Sequence, residues 1–327
     1  MEAWIESLPR PVREPVLAFA DPHPHGARAR AMYAGTALAE LAAGWPPGRD
    51  GLVAALGDLA AHLRSVGQGT AHQPGVNNMI AFMLAAAAPV PAVQVAEALR
   101  SRLETARESF ATASDTMARV GADLLCDGST VLVHDFADRS TQAVITLAGV
   151  QGKRLHVVAT ACRSRRADGL RVAREAVQAG HRATVVTDAG IGWVMGHYGL
   201  HAAFIGADGI LADGTLLTTP GALTVAMVGQ NEGVPVYAVT DLWKLMDALS
   251  PEIQRINEAP DPDGVPESAD WAAAGFGFLN PLVDIVPGKY LTSYVTEAGL
   301  LTPTSVGATA RALYETSPAT VDESGRA

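Results

Sequence analysis

Acids, a histidine, a thiol and arginines recur in this sequence at one kind of place, directly after a short β-branched run. His134-Asp135 follows STVLV, Cys162-Arg163 follows KRLHVVATA, Asp188 follows RATVVT, Asp208 follows AAFIGA, and Thr240-Asp241 follows PVYAV. Carboxylates and imidazoles exchange protons, and guanidinium groups bind oxyanions through paired N–H groups, so the set suits proton transfer on an anionic substrate. Asp135 and Asp208 could meet at one substrate, where two carboxylates in a poorly solvated pocket divide into an acid and a base. The plain reading of Asp135 is a cap on the helix expected near Ser140, and that of Asp208 a turn residue before Gly209. His134 either orients a substrate hydroxyl or tunes Asp135, or else is a buried histidine bonded to backbone. Cys162 beside Arg163, Arg165 and Arg166 would be drawn toward the nucleophilic thiolate, although an isolated cysteine commonly fills space as a small apolar side chain. Arg163 and Arg166 are candidate anion ligands; the plain reading of Arg165 and Arg166 is solvation.

Such residues work together only if the backbone brings them to one place. The β-branched runs alternate with the helical segments STQAVITLAGV, ADGLRVAREAVQAG, IGWVMGHYG and PGALTVAMVGQNEG. Strand and helix in repeated alternation predict a parallel sheet covered on both faces, and ligands in such sheets bind beyond the carboxyl ends of the strands. Those ends are where the polar residues stand. A turn former after one strand is ordinary; the whole set reads better as a binding rim.

The first third of the chain reads differently. RARAMYAGTALAELAA, DGLVAALGDLAAHLRSV and VNNMIAFMLAAAA carry apolar residues at three- and four-residue spacing, which predicts helices. VAEALRSRLETARESFATASDTMARVGADLL predicts one long amphipathic helix with Glu97, Arg100, Glu104 and Arg107 in solvent, and Arg28 and Arg30 are expected on a solvated face.

Composition narrows the function classes. The chain has 327 residues, 48% of them hydrophobic and 18% charged, which describes a globular protein of about two domains. A net charge of −10 without a dense basic block argues against nucleic-acid and anionic-membrane partners. The longest apolar run, MIAFMLAAAAPVPAV, is broken by Pro89 and Pro91 and is too short to span a bilayer. MEAWIESLPRPVRE lacks the order of a secretory leader, so a cytoplasmic location is expected, and the Ala-, Arg- and Gly-rich usage suggests a bacterial source. The two cysteines, Cys126 and Cys162, form no zinc-ligand pattern, so no metal site is expected and Cys126 is read as structural.

The order IGADGILADG, PGAL, VPVYAVTD and FLNPLVDIVP…VTEAGLLTPTSV resembles the family of methylthioribose-1-phosphate isomerase, ribose-1,5-bisphosphate isomerase and the regulatory alpha, beta and delta subunits of translation initiation factor two-B. The block ATACRSRRADGLRVAREAVQAGHRATVVTDA, with Arg163, Gly169 and Asp188, is similar to that family's strand, Arg-rich loop, helix and strand, and VLVHDFADRSTQAV takes the place of its strand and catalytic loop. The likeness runs from about residue 120 to residue 312.

The resemblance implies an α/β fold class: a helical N-terminal domain over 1–119, then a Rossmann-like parallel-sheet domain over 120–327 that carries most of the site and the dimer contact. It implies a sugar-phosphate pocket, conversion of an aldose 1-phosphate into a 1-phosphoketose, a homodimer or higher homo-oligomer, and no metal or organic cofactor. Asp208 matches the family's catalytic Asp, and Cys162 is the nearest candidate for its catalytic Cys. Departures are also visible. Thr218-Thr219 stand where the isomerases carry a substrate-binding Asn-Lys pair, and Gln73-Pro74 where they carry a phosphate-binding Arg-Pro. Asn77 and Asn78 are candidate sugar-hydroxyl ligands or helix caps, and Asp241 is a lesser pocket candidate. Asn280 of FLNPLVD is expected to be structural or at the dimer contact, and Trp193, Tyr198 and Trp243 in the core or an interface. Three readings follow: a diverged aldose–ketose isomerase, a non-catalytic regulatory subunit that binds a sugar phosphate or nucleotide, or dehydratase- or lyase-type chemistry in the same pocket.

Overall fold

The computed structural model describes residues 2–21, 26–46, 50–65, 74–88, 90–135, 140–165, 169–258 and 268–315. The chain divides into two compact units, one of Met1–Ala111 with Ala310–Ala327 and one of Thr112–Thr309. The division falls inside the long helix that also contains the 119–120 boundary drawn from sequence.

The first unit holds α1 (Glu2–Ser7), α2 (Arg10–Ala20), α3 (Ala27–Ala43), α4 (Leu52–Ser65), α5 (Pro74–Ala87) and the start of α6 (Ala92–Asp123). Small residues let these helices approach closely: a Cβ added at Gly35 of α3 would stand 3.0 Å from Leu103 and 3.3 Å from the Met79 sulfur. Glu97, Arg100, Glu104 and Arg107 are in solvent as expected, and pair as Glu97–Arg100 and Glu104–Arg107. Arg28 and Arg30 correct their expectation. They are half-buried, with guanidinium groups 5.6 Å from the Phe110 ring centre and 4.8 Å from that of Phe19, so they pack on aromatic faces and are not simply solvated.

The second unit is built on a seven-stranded sheet in the order β11-β10-β7-β4-β1-β2-β3. Its strands are β1 (Thr130–His134), β2 (His156–Thr160), β3 (Arg182–Val186), β4 (Ala202–Ile205), β7 (Val236–Val239), β10 (Ser293–Thr296) and β11 (Gly299–Leu301). All neighbours run parallel except β10 and β11. The helices α7 (Ser140–Val150), α8 (Gly169–Gln178), α9 (Ile191–His197) and α10 (Ala222–Glu232) make the crossovers. β1, β2 and β4 are buried almost end to end because helices cover both faces, which is why their sequences read as unbroken apolar runs. From β1 the chain steps to β2 and β3 on one side; from β4 it steps to β7 and β10 on the other. The direction reverses between β1 and β4, and at such a reversal the two flanking connections part and leave a crevice.

Between β4 and α10, and again after β7, the chain makes excursions that the β-branched rhythm does not announce. β5 (Gly209–Leu211), β6 (Leu216–Thr218), β8 (Leu245–Met246) and β9 (Asp284–Val286) form a second sheet in the order β8-β5-β6-β9. Runs of two or three residues are too short to show a period. α11 (Glu252–Glu258), α12 (Ser268–Ala273) and α13 (Pro303–Glu315) complete the described chain. Among the described residues no helix is long and apolar enough to cross a membrane.

Candidate active site

Parallel register places the polar residues side by side. Val133 of β1 lies opposite Ala159 of β2, so the next residues, His134 and Thr160, point to the same face. His134 and Thr160 are completely buried, Cys162 is 1% exposed and Asp135 is 4% exposed. Among the described residues only two that are not glycine have positive φ, Asp135 at 80° and Cys162 at 49°. Both follow adjacent central strands. Such backbone costs on the order of 1 kcal/mol or more and persists where the surroundings impose it, commonly at working sites.

The turn at Cys162 brings its sulfur back over β2. The Thr160 hydroxyl oxygen stands 2.7 Å from His134 Nδ1 and 3.2 Å from Cys162 Sγ, while Nδ1 and Sγ are 3.7 Å apart. His134 Nε2 faces the Thr219 carbonyl oxygen at the longer distance of 3.4 Å. Burial alone would lower the basicity of this imidazole. Attraction and hydrogen bonding to Cys162, attraction to Asp135 and the Thr219 carbonyl outweigh burial, and His134 is pushed up to about 9. At neutral pH the ring therefore carries both protons. Nδ1–H then donates to the Thr160 oxygen, which also lies within hydrogen-bond reach of Cys162 Sγ.

Gly221 is the reason a ring fits here. It has φ 106°, and a Cβ on it would lie 2.6 Å from His134 Cε1. The Gly221 and Leu223 N–H groups donate to Asp284 Oδ2 at 2.9 and 3.0 Å, so the start of α10 is occupied by this chain's own carboxylate.

The Cys162 loop is fixed from two sides. Asp188, at the end of β3, accepts the Cys162 N–H on Oδ1 at 2.9 Å and the Arg163 N–H on Oδ2 at 2.8 Å, capping the 3-10 turn Arg163–Arg165. Asn280 Nδ2 faces the Ser164 carbonyl at 3.4 Å, so this residue of the Asn-Pro motif braces the loop. Arg163 itself is exposed.

Across the switch point, Asp208 is 7% exposed and its N–H donates to the Leu217 carbonyl at 2.8 Å. Lys244, 2% exposed, donates from Nζ to the Ala207 carbonyl at 2.7 Å and brings a cation to the backbone of Asp208. Asp241 is 1% exposed. Thr218 is locked by its hydroxyl to the Gly206 carbonyl at 2.9 Å, and the buried Thr219 hydroxyl has no hydrogen-bond partner among the described residues.

His134, Asp135 and Cys162 thus gather on β1 and β2, and Asp208, Thr218, Thr219 and Asp241 belong to the ends of β4, β6 and β7. Asn77 and Asn78 lie half-buried on α5, in the helical unit. Gln73 and Arg166 lie outside the described residues. Cys126 is exposed, Trp193 is 59% exposed and Trp243 is in the core. Sequence reasoning missed Thr160, Lys244, Gly221 and Asp284. Thr160 was legible as the last β2 residue before the cysteine; the other three owe their places to contacts distant in sequence. Among the described residues no group of three or more His, Cys, Asp or Glu is placed to hold a metal ion.

The sequence profile of the Initiation factor 2 subunit family matches residues 23–303. The chain is 31% identical over 196 residues to methylthioribose-1-phosphate isomerase of Albidiferax ferrireducens, a match over 57% of this chain and 55% of that protein, so it spans little more than half that relative's length. It is 28% identical over 257 residues to ribose 1,5-bisphosphate isomerase of Haloterrigena turkmenica, covering 75% of this chain and 76% of that one. In three dimensions it is similar to the translation initiation factor eIF-2B of Pyrococcus horikoshii OT3, with a TM-score of 0.72 at 23% identity over 90% of this chain and 98% of the other, a likeness of fold. With the family profile extending across most of its length, this chain belongs to the Initiation factor 2 subunit family.

Proposed function

We propose that this chain is a phosphosugar enzyme of the aldose–ketose isomerase type, acting on an aldose 1-phosphate or a closely related sugar. The observation that carries the reading is the row of buried polar groups at the β1–β4 switch point, with strained backbone at Asp135 and Cys162. A merely structural rim has no need to bury acids, a histidine and a lysine at the ends of neighbouring strands. The names of the relatives above point to the same substrate class.

The reaction needs proton movement alone. The ring oxygen takes a proton as its bond to C1 breaks, C2 loses its hydrogen, C1 gains one, and the C2 hydroxyl proton leaves as the carbonyl forms. The substrate neither gains nor loses electrons overall. Asp208 and Asp135 are assigned as the acid and base, His134 and Cys162 as assisting groups, and Arg163 and Lys244 as cations for the phosphate. Thr218, Thr219 and Asp241 line the substrate side in this reading. Gln73, Asn77, Asn78 and Arg166 are assigned to the same sugar phosphate on the resemblance alone. The reading calls for no metal or organic cofactor.

We place the protein in the cytoplasm as a homodimer or higher homo-oligomer that binds no nucleic acid. Its cysteines are free, as a reducing compartment keeps them, and its net charge is −10. Trp271, Phe276 and Leu279 are 41%, 65% and 64% exposed on the segment leading to Asn280, apolar surface that a second copy would cover.

A second reading, a regulatory subunit that binds the sugar phosphate without turning it over, is favoured by Thr218 and Thr219, buried and uncharged where the isomerases are expected to carry Asn-Lys. Phosphorus NMR with a panel of aldose 1-phosphates, including methylthioribose 1-phosphate and ribose 1,5-bisphosphate, separates the two. A new ketose phosphate resonance supports the isomerase. Line broadening without conversion supports the binding subunit, and a different product would assign dehydratase- or lyase-type chemistry.

A further inference from the structure

We propose that Thr160 is a positioning residue that couples His134 to Cys162 through its side-chain hydroxyl. The direct contact between the two rim groups is long, at 3.7 Å between Nδ1 and Sγ. The Thr160 oxygen lies between them at 2.7 and 3.2 Å. Each step of this path is shorter than the direct one, and all three side chains are buried, so water does not compete for the bonds.

The hydroxyl is held in place by the fold. Thr160 is the last residue of β2, paired with Val186 of β3 and next in register to His134 of β1. A β-branched side chain has few χ1 choices, which limits where its hydroxyl points. Cys162 reaches back to that hydroxyl because its backbone turns through φ 49°, clamped by Asp188. With Nδ1–H donating into the Thr160 oxygen, the hydroxyl proton is directed to the sulfur. The charge of the imidazolium is thereby felt at Cys162.

Among the described residues the groups facing His134 are Asp135 just after its own strand, Thr160 at the end of β2, Cys162 after it, the Thr219 carbonyl before α10, and Gly221. The inference deepens the isomerase reading, on which its consequence for turnover rests. Its test needs no substrate, so the two fail separately.

The test is nitrogen-15 NMR of the full chain with labelled histidine, following the His134 ring from pH 5.5 to 10. His134 is identified among the nine histidines as the signal lost in His134→Gln. Wild type is expected to keep both ring protons until about pH 9. Thr160→Val keeps the volume and removes the hydroxyl, and should move the titration down by about one unit or more. Thr160→Ser should restore most of that shift. Cys162→Ala, which removes the far end of the path, should lower it as well. A folded Thr160→Val protein with the wild-type titration overturns the proposal, and so does a Thr160→Ser titration as low as that of Val, which would mean that packing and not the hydroxyl sets the value. If Thr160→Val fails to fold, Thr160→Ser and Cys162→Ala decide: a preserved titration in the first with a lowered one in the second supports the bridge, and any other pair of results overturns it.

Discussion

Asp188 holds Cys162 by its backbone: one carboxylate oxygen accepts the Cys162 N–H and the other the N–H of Arg163. The clamp maintains the left-handed turn at Cys162, and an amide cannot replace it, because the NH2 of Asn would face one of two donors. Asp188→Asn is expected to cost about 1–2 kcal/mol in urea unfolding and, on the isomerase reading, to lower kcat about tenfold or more through a displaced loop.

Gly221 has two reasons to remain glycine, its φ of 106° and the His134 ring 2.6 Å from where a Cβ would be. Gly233 has only one: φ is 70° there, with open space around the missing Cβ. Gly233→Ala should therefore cost about 1 kcal/mol, the conformational term alone, and Gly221→Ala clearly more. Thermal unfolding of both variants measures the difference; equal losses would contradict the close packing of Gly221 on His134.

Stability should depend on pH through His134. Its folded value of about 9 lies above the ordinary 6.5, so the native state binds this proton more tightly than the unfolded chain. The resulting stabilisation is fully present below pH 6.5 and is lost as pH rises through 9. Urea unfolding of wild type and His134→Gln across that window should show the gap between them narrowing toward alkaline pH. A gap that widens would reverse the sign.

Asp208→Asn changes one atom of a buried acid at the end of β4. On the isomerase reading, turnover in the phosphorus NMR assay should fall about 100-fold or more. Undiminished turnover would remove Asp208 from the catalytic assignment.

Much of the architecture was legible in the sequence because periodicity is local. STVLV, RATVV and PVYAV announced β1, β3 and β7, and STQAVITLAGV coincides with α7. Strand-end acids could be picked out for the same reason, since a parallel sheet sends every carboxyl end to one rim. Arg28 and Arg30 were misread because an aromatic partner such as Phe110, far along the chain, leaves no mark on local spacing.

What the sequence determined by itself is the α/β class, the helical first third and the polar rim, all of which follow from short-range patterns of apolar side chains. Only the tertiary structure decided which rim residues act on one another. Strand order set β1 against both β2 and β4, and register put Thr160 across from His134. The left-handed turn at Cys162, the carboxylate of Asp188 and the missing side chain of Gly221 then closed the group. Each of these depends on segments brought together by burial of the sheet, and hydrogen bonds so formed carry no signal at the spacing of neighbouring residues.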